Sequence, residues 1–152
     1  MNIKIDNFVS KNITKKYLSW LSNDNLLKYS RHKKITYTKK KAVFFYNKIL
    51  KSGNFFYSIK DISKRKVIGT MIVYNFYKKV NIGILIGDKN YHNKGCATKA
   101  IKLLFKKLID KKLFNVEIGC NVKNIQMIKV AKKLGFKKNK IDKKNIYFKK
   151  RI

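Results

Sequence analysis

The chain has 152 residues, 45% of them hydrophobic, and a formal net charge of +32 from 39 basic and 7 acidic side chains. The length suits one domain, residues 1–152, which can bury about two-thirds of its unfolded surface. No run approaches the roughly 18 apolar residues of a membrane-spanning helix, so no membrane partner is expected. Met1–Asp6 lacks an apolar signal region, and Cys96 and Cys120 alone make neither a disulfide framework nor a zinc site. The expectation is a reducing cytoplasm and no metal.

Thirty-six of the basic residues are lysine, proline is absent, and the lysines run through the whole chain rather than forming an arm. That pattern reads as a composition bias rather than a specific nucleic-acid surface. The field is still physical and favours anionic ligands at low salt. A basic RNA- or ribosome-associated binding domain is the alternative of another class. Against it, Phe44, Phe45, Phe55, Phe56 and Phe76 fall in apolar or amphipathic runs, which predicts core positions rather than a stacking surface.

In chain order, residues 3–8 read as a strand. Thr14 caps a short helix to Leu21, and Asp24–Tyr29 reads as a further helical turn. Thr38 caps a stronger helix to Leu50, ended by Ser52-Gly53-Asn54. The period then changes from helical to alternating. Phe55–Lys60, Lys66–Phe76 and Asn81–Gly87 read as strands, with a hairpin turn at 61–65 and Gly69 marking a bulge. A helix is predicted over 97–110, a strand over Leu113–Val122, a helix over 125–134, and a final hairpin over 136–150 turning near Asp142–Asn145. Helices, antiparallel strands, then β-α-β-α-β make an α+β fold with a mixed, mostly antiparallel central sheet flanked by helices.

The most informative stretch joins the third of those long strands to the next helix: Tyr91-His92-Asn93-Lys94-Gly95-Cys96-Ala97-Thr98-Lys99. A strand, a small-residue turn and a helix start make an anion site, because first-turn N–H groups lack helical partners and the helix dipole adds positive potential. Neither Gly-x-x-x-x-Gly-Lys-Ser/Thr nor Gly-x-Gly-x-x-Gly is present, which argues against a nucleoside-triphosphate loop and a dinucleotide fold. His92-Asn93-Lys94-Gly95-Cys96-Ala97 instead resembles the Arg/Gln-x-x-Gly-x-Gly/Ala signature of the GNAT acetyltransferase superfamily. A second block, Asn121 to Phe136, resembles that family's Asn-led helix ending in Lys-Leu-Gly-Phe. There Asn124 would start the helix, and Gly135 would end it in the left-handed conformation.

The resemblance covers roughly residues 55–137 and implies acetyl-CoA as co-substrate. The loop residues His92, Asn93, Lys94, Gly95, Cys96, Ala97 and Thr98 would hold its pyrophosphate. The family's loop strand splays from its neighbour and pairs with the pantetheine arm, which points to Ile84, Leu85 and Ile86. Asn124 would bond that arm or order the loop. His92 stands where arginine or glutamine is usual. Cys96 is not read as a nucleophile, because direct transfer needs no acyl-enzyme.

The acid and base are less legible. The alanine N-terminal branch of the family carries a Glu and a Tyr where this chain has Gly119 and Ala131. Glu117 shares a strand face with Gly119 by period two and is the candidate base, acting through a water. Tyr147 is the second catalytic candidate. Tyr37, Tyr29, His32 and Asp88 are further ones.

For the acceptor, Asn81–Lys89 and Ile118–Asn124 look like the strands of ribosomal-protein N-terminal, spermidine and amino-sugar relatives. A small primary amine, including a nucleotide-linked amino sugar that would suit the positive field, is read first. A protein N-terminus is read second. An inactive acetyl-CoA-binding relative stays open, as does a monomer or a homodimer.

Overall fold

The computed structural model describes residues 2–30 and 37–152. Seven strands form one sheet: β1 (Ile3–Asn7), β2 (Phe55–Asp61), β3 (Lys66–Phe76), β4 (Lys79–Ile86), β5 (Asn115–Asn121), β6 (Lys137–Ile141) and β7 (Asn145–Arg151). Their spatial order is β1-β2-β3-β4-β5-β7-β6. Every neighbouring pair is antiparallel except β4 and β5, which are parallel. A parallel pair needs a crossover, and the helix between β4 and β5 supplies it.

The helices are α1 (Lys15–Leu21), α2 (Lys39–Lys51), α3 (Cys96–Asp110) and α4 (Ile125–Lys133). Thr14 and Thr38 cap α1 and α2 as predicted, their side chains accepting from the Tyr17 and Lys41 backbone N–H groups at 3.2 Å. Gly135 follows α4 at φ 76°. The further helical turn expected over Asp24–Tyr29 is a run of hydrogen-bonded turns. There Asn23 accepts from the Leu26 N–H with its side chain and from the Leu27 N–H with its carbonyl, as a helix N-cap does, so one turn forms and is not extended.

Alternation along the strands divides the apolar side chains between two faces. On one face, Ile59, Met71, Val73, Val80, Ile82, Val116, Ile118 and Phe148 pack with Ala100, Ile101, Leu104 and Leu108 of α3 and Ala131 of α4. On the other, Phe56 packs with Phe8, Tyr17 and Trp20 near α1 and with Ala42 and Ile49 of α2. Phe8 stacks on Phe56 at 4.2 Å between ring centroids. Each fully buried large apolar side chain contributes about 1.5–3 kcal/mol, so both faces hold the sheet between helices. The core expectation for the phenylalanines fails at two positions. Phe44 is 72% and Phe76 57% exposed, because Phe44 falls on the outer side of α2 and Phe76 ends β3 at its hairpin.

The predicted bulge lies beside Gly69. Ile59 pairs with Gly69 and Lys60 with Val67, which leaves Ile68 as the extra residue. The Ile68 carbonyl then accepts from the N–H groups of Gly87 (3.0 Å) and Asp88 (3.1 Å), at the exit of β4. The bulge thus fixes where the chain leaves the sheet toward the loop.

Candidate active site

β4 and β5 share only two ladder pairs, Val80 with Val116 and Asn81 with Glu117. Beyond Asn81 the strands part, although β4 runs on to Ile86 and β5 to Asn121. The gap opens into a cleft of about 1150 Å³ that reaches both faces of the sheet. The α3–α4 face contributes the 92–98 loop and α4, and the α1–α2 face contributes aromatic side chains.

On the loop side, Asn93 (φ 58°) and Gly95 (φ 74°) are both left-handed and flank Lys94. Gly95 is the N-cap of α3 and offers no side-chain cap, so the first-turn N–H groups of the helix are turned toward the loop. A Cβ at Gly95 would meet nothing within 4 Å, so glycine there serves the backbone conformation and the approach of a ligand rather than packing. The Cys96 and Thr98 side chains are buried, so these residues can offer the cleft little beyond main chain. Asn124 caps α4, its side-chain oxygen accepting from the Met127 N–H at 3.1 Å, which leaves its amide NH₂ end for a ligand.

His92 Nε2 donates to the Ile86 carbonyl at 2.7 Å, since a carbonyl only accepts. It therefore closes the loop onto the end of β4 instead of directing that nitrogen outward. Lys94 is exposed and borders a neighbouring hollow beside Asp61 and Tyr91 rather than the cleft wall.

Beneath the loop lies a polar anchor that the sequence did not flag. Asp88 caps the 3₁₀ turn Lys89–Tyr91 through the Asn90 N–H at 3.1 Å and pairs with Lys66 at 2.8 Å and Lys16 at 3.2 Å. Burial pushes its pKa up, but Lys66, the Asn90 N–H and Lys16 outweigh that and bring it down to about 2. The buried Tyr91 hydroxyl donates to Asp61, and this bond with the accompanying burial pushes its pKa up to about 12. The Trp20 ring lies on Gly87 so closely that a Cβ there would come within 2.0 Å of it. Asp88 is committed to this anchor and is not part of the cleft wall.

At the fork of the splay sits Glu117, its side chain 12% exposed. Asn81 Nδ2 donates to it at 3.3 Å and Lys79 Nζ at 3.4 Å. Tyr147 lines the cleft from β7, paired opposite Gly119, with its hydroxyl donating to Asp142 at 3.3 Å. Tyr29 and Tyr37 also line the cleft. His32 lies outside the described residues. Burial pushes the thiols of Cys96 and Cys120 up, so neither is an activated nucleophile. Among the described residues no group of three or more His, Cys, Asp or Glu is arranged to hold a metal, and no helix is long and apolar enough to cross a membrane.

The sequence-predicted residues Ile84, Leu85, Ile86, His92, Asn93, Gly95, Cys96, Ala97, Thr98, Glu117, Asn124 and Tyr147 all border this one cleft. Sequence reasoning missed Asn81 and Gly83, although both share the period-two face of β4 with Leu85. It also missed Tyr17, Phe45 and Tyr74, which no local pattern links to the loop.

The parting of β4 from β5 beside a helix-start anion loop is the arrangement that the resemblance to the acetyltransferase signature implies. The family model described as an acetyltransferase (GNAT) domain matches residues 7–137, and the chain belongs to that family. It is an acetyl-CoA-dependent N-acetyltransferase.

Solved structures share the fold at low identity. The spermidine N-acetyltransferase of Vibrio cholerae, solved with CoA and spermine, is 15% identical over 97% of this chain and 95% of its own, with a TM-score of 0.81. The ribosomal-protein-S5-alanine acetyltransferase of Vibrio fischeri is 17% identical over 99% and 93%, also at 0.81. An aminoglycoside acetyltransferase in complex with coenzyme A and kanamycin is 14% identical over 99% and 95%, again at 0.81. No curated protein matches the chain by sequence.

Proposed function

We propose that residues 1–152 act as a single acetyltransferase domain that passes an acetyl group directly from acetyl-CoA to the primary amine of a small molecule in the cytoplasm. The observation that carries this reading is the joining of the loop and the splay in one cleft. In it the α3 start and the loop backbone take the pyrophosphate, with Lys94 adding charge from outside. The unpaired edge of β4 at Ile84 and Leu85 supplies main-chain groups for the pantetheine arm, and a backbone N–H there polarises the thioester oxygen. The acceptor enters from the α1–α2 face.

Acetyl-CoA supplies the activated acetyl thioester. The neutral amine nitrogen forms the new C–N bond as the C–S bond breaks, and CoA leaves as the thiolate, which takes a proton back from solvent or from Tyr147. The proton shed by the amine passes to Glu117 through a water and then to solvent, while Asn81 and Lys79 hold the carboxylate in place. Tyr147 stands across the same cleft as a second proton-carrying group. A nucleotide-linked amino sugar is less well served. The described cation on the acceptor face, Lys79, is engaged with Glu117, and the other lining lysines, Lys129 and Lys133, belong to α4 on the opposite face, so among the described residues a diphosphate would find no second cation on the acceptor face.

Calorimetric titration with acetyl-CoA, CoA and ATP at moderate salt tests the reading. Micromolar binding of both CoA species and none of ATP supports it. Equal weak binding of all three that fades with salt would assign the affinity to the overall charge and remove the loop assignment.

A further inference from the structure

Within the acetyltransferase reading, the acceptor half of the cleft carries its own chemical signature. Among the described residues its lining holds one carboxylate, Glu117, and one cation, Lys79, and these two are paired at 3.4 Å. The other lining lysines, Lys129 and Lys133, belong to α4 on the opposite face. The wall above Glu117 is largely aromatic and aliphatic: Tyr17, Tyr37 and Phe45 from the helical layer, and Ile72, Tyr74 and Leu85 from the sheet. Tyr17 is buried, and burial together with the nearby Tyr37 and Tyr74 phenols pushes its pKa up, which places the three side chains close together.

Charge then sorts the acceptors. A buried ammonium with no partner costs several kcal/mol. A polyamine or a multiply aminated sugar would match one ammonium to Glu117 and leave the rest against tyrosine and leucine. A phosphorylated acceptor would meet, on this face and among the described residues, only Lys79, which already faces Glu117. A single amine on an apolar body meets neither penalty, since its nitrogen goes to Glu117, the one carboxylate among the described lining residues, and its body displaces water from the rings.

The floor of this chamber is set by Gly83. It lies between Asn81 and Leu85 on the α1–α2 side of β4. A Cβ there would meet nothing nearer than the Tyr74 ring at 3.8 Å and the Ile72 carbonyl at 3.9 Å. A larger residue would therefore fit the backbone and project into the space beneath the tyrosine wall.

We infer that the acceptor is a small monoamine carried on an aromatic or branched apolar body, with its amine at Glu117, its body against the Tyr17–Tyr37–Tyr74 wall, and its size limited by Gly83. The test compares kcat/KM by free-thiol release for phenethylamine, spermidine, a uridine-diphosphate-linked amino sugar and a short peptide with a free N-terminus. Phenethylamine should exceed each of the others by at least about tenfold. Gly83→Leu should raise the KM for phenethylamine by about tenfold or more while calorimetric CoA affinity stays unchanged, and Gly83→Ala should have a smaller effect in the same direction. A preference for spermidine, the sugar or the peptide overturns the inference. So does phenethylamine left untouched by a protein that binds CoA, or a Gly83→Leu variant with normal circular dichroism and normal phenethylamine KM. Failure to bind CoA at all would instead strike the acetyltransferase reading on which the inference rests.

Discussion

On the α3–α4 face the cleft is lined by α4 and by one short loop, His92 to Thr98 without Lys94, whose contribution is mainly backbone: two left-handed residues, a helix start and the buried side chains of Cys96 and Thr98. On the α1–α2 face it is lined by side chains from α1, α2, β3, β4, β5 and β7, brought together by no local pattern. A ligand common to many proteins can be held by main-chain groups that tolerate varied side chains. A particular acceptor has to be selected by side chains, and those come from wherever the fold places them. The solved structures with spermine and with kanamycin make the same point, since one fold accommodates both.

The sharpest way to break this division is at Gly95. Valine there is forced into a left-handed conformation that costs about 1–3 kcal/mol, which a domain of about 5–15 kcal/mol stability survives. Its side chain would stand where the phosphates approach, so CoA affinity should fall at least about 100-fold, the value of losing two charge-assisted hydrogen bonds. Unchanged affinity in a folded variant would remove the loop from the cofactor half.

Glu117→Gln probes the other half. It keeps the shape of the side chain at the fork and removes its capacity to take a proton. Turnover should drop about 100-fold, the lower end of general-base contributions, with CoA affinity intact. Wild-type turnover would end the base assignment.

Asp88→Asn tests whether the anchor beneath the loop matters to the cofactor half alone. Losing the pairs to Lys66 and Lys16 should cost about 1–2 kcal/mol in thermal stability and weaken CoA binding without altering the acceptor KM. The pH dependence has a definite sign. The folded pKa, about 2, lies below the unfolded value, so Asp88 stabilises the fold above about pH 4 and that contribution is lost as pH falls toward 2. The melting temperature of the wild type should therefore drop over this interval more steeply than that of the variant.

Tyr147→Phe should have the smallest effect. Its hydroxyl is held by Asp142 at 3.3 Å, and a change in turnover within about threefold would assign it to the wall rather than to proton transfer. A loss of about 100-fold would make it the acid for the leaving thiol.

Much of the fold was legible because its signals are local. Thr14 and Thr38 cap helices wherever they precede an amphipathic run, and the alternation in Lys66–Phe76 matches the observed strand end to end. At Asp24–Tyr29 the expected helical turn is capped locally by Asn23, whose side chain and carbonyl accept from the Leu26 and Leu27 N–H groups, and it goes no further. Asp88 was read among catalytic candidates because its partners, Lys16 and Lys66, are 72 and 22 residues away in the chain.

The sequence by itself determined the order of elements, the backbone chemistry of the 92–98 loop and the family. All three reside in short-range spacing, where a glycine, a cap or a two-residue period acts on its immediate neighbours. Only the tertiary structure decided that β4 and β5 part after Asn81, that Glu117 lies at that fork, and that the tyrosines of α1, β3 and the approach to α2 face the same space. Those are juxtapositions of residues far apart in the chain, set by how two apolar faces of one sheet bury themselves against helices, and no local interaction encodes them.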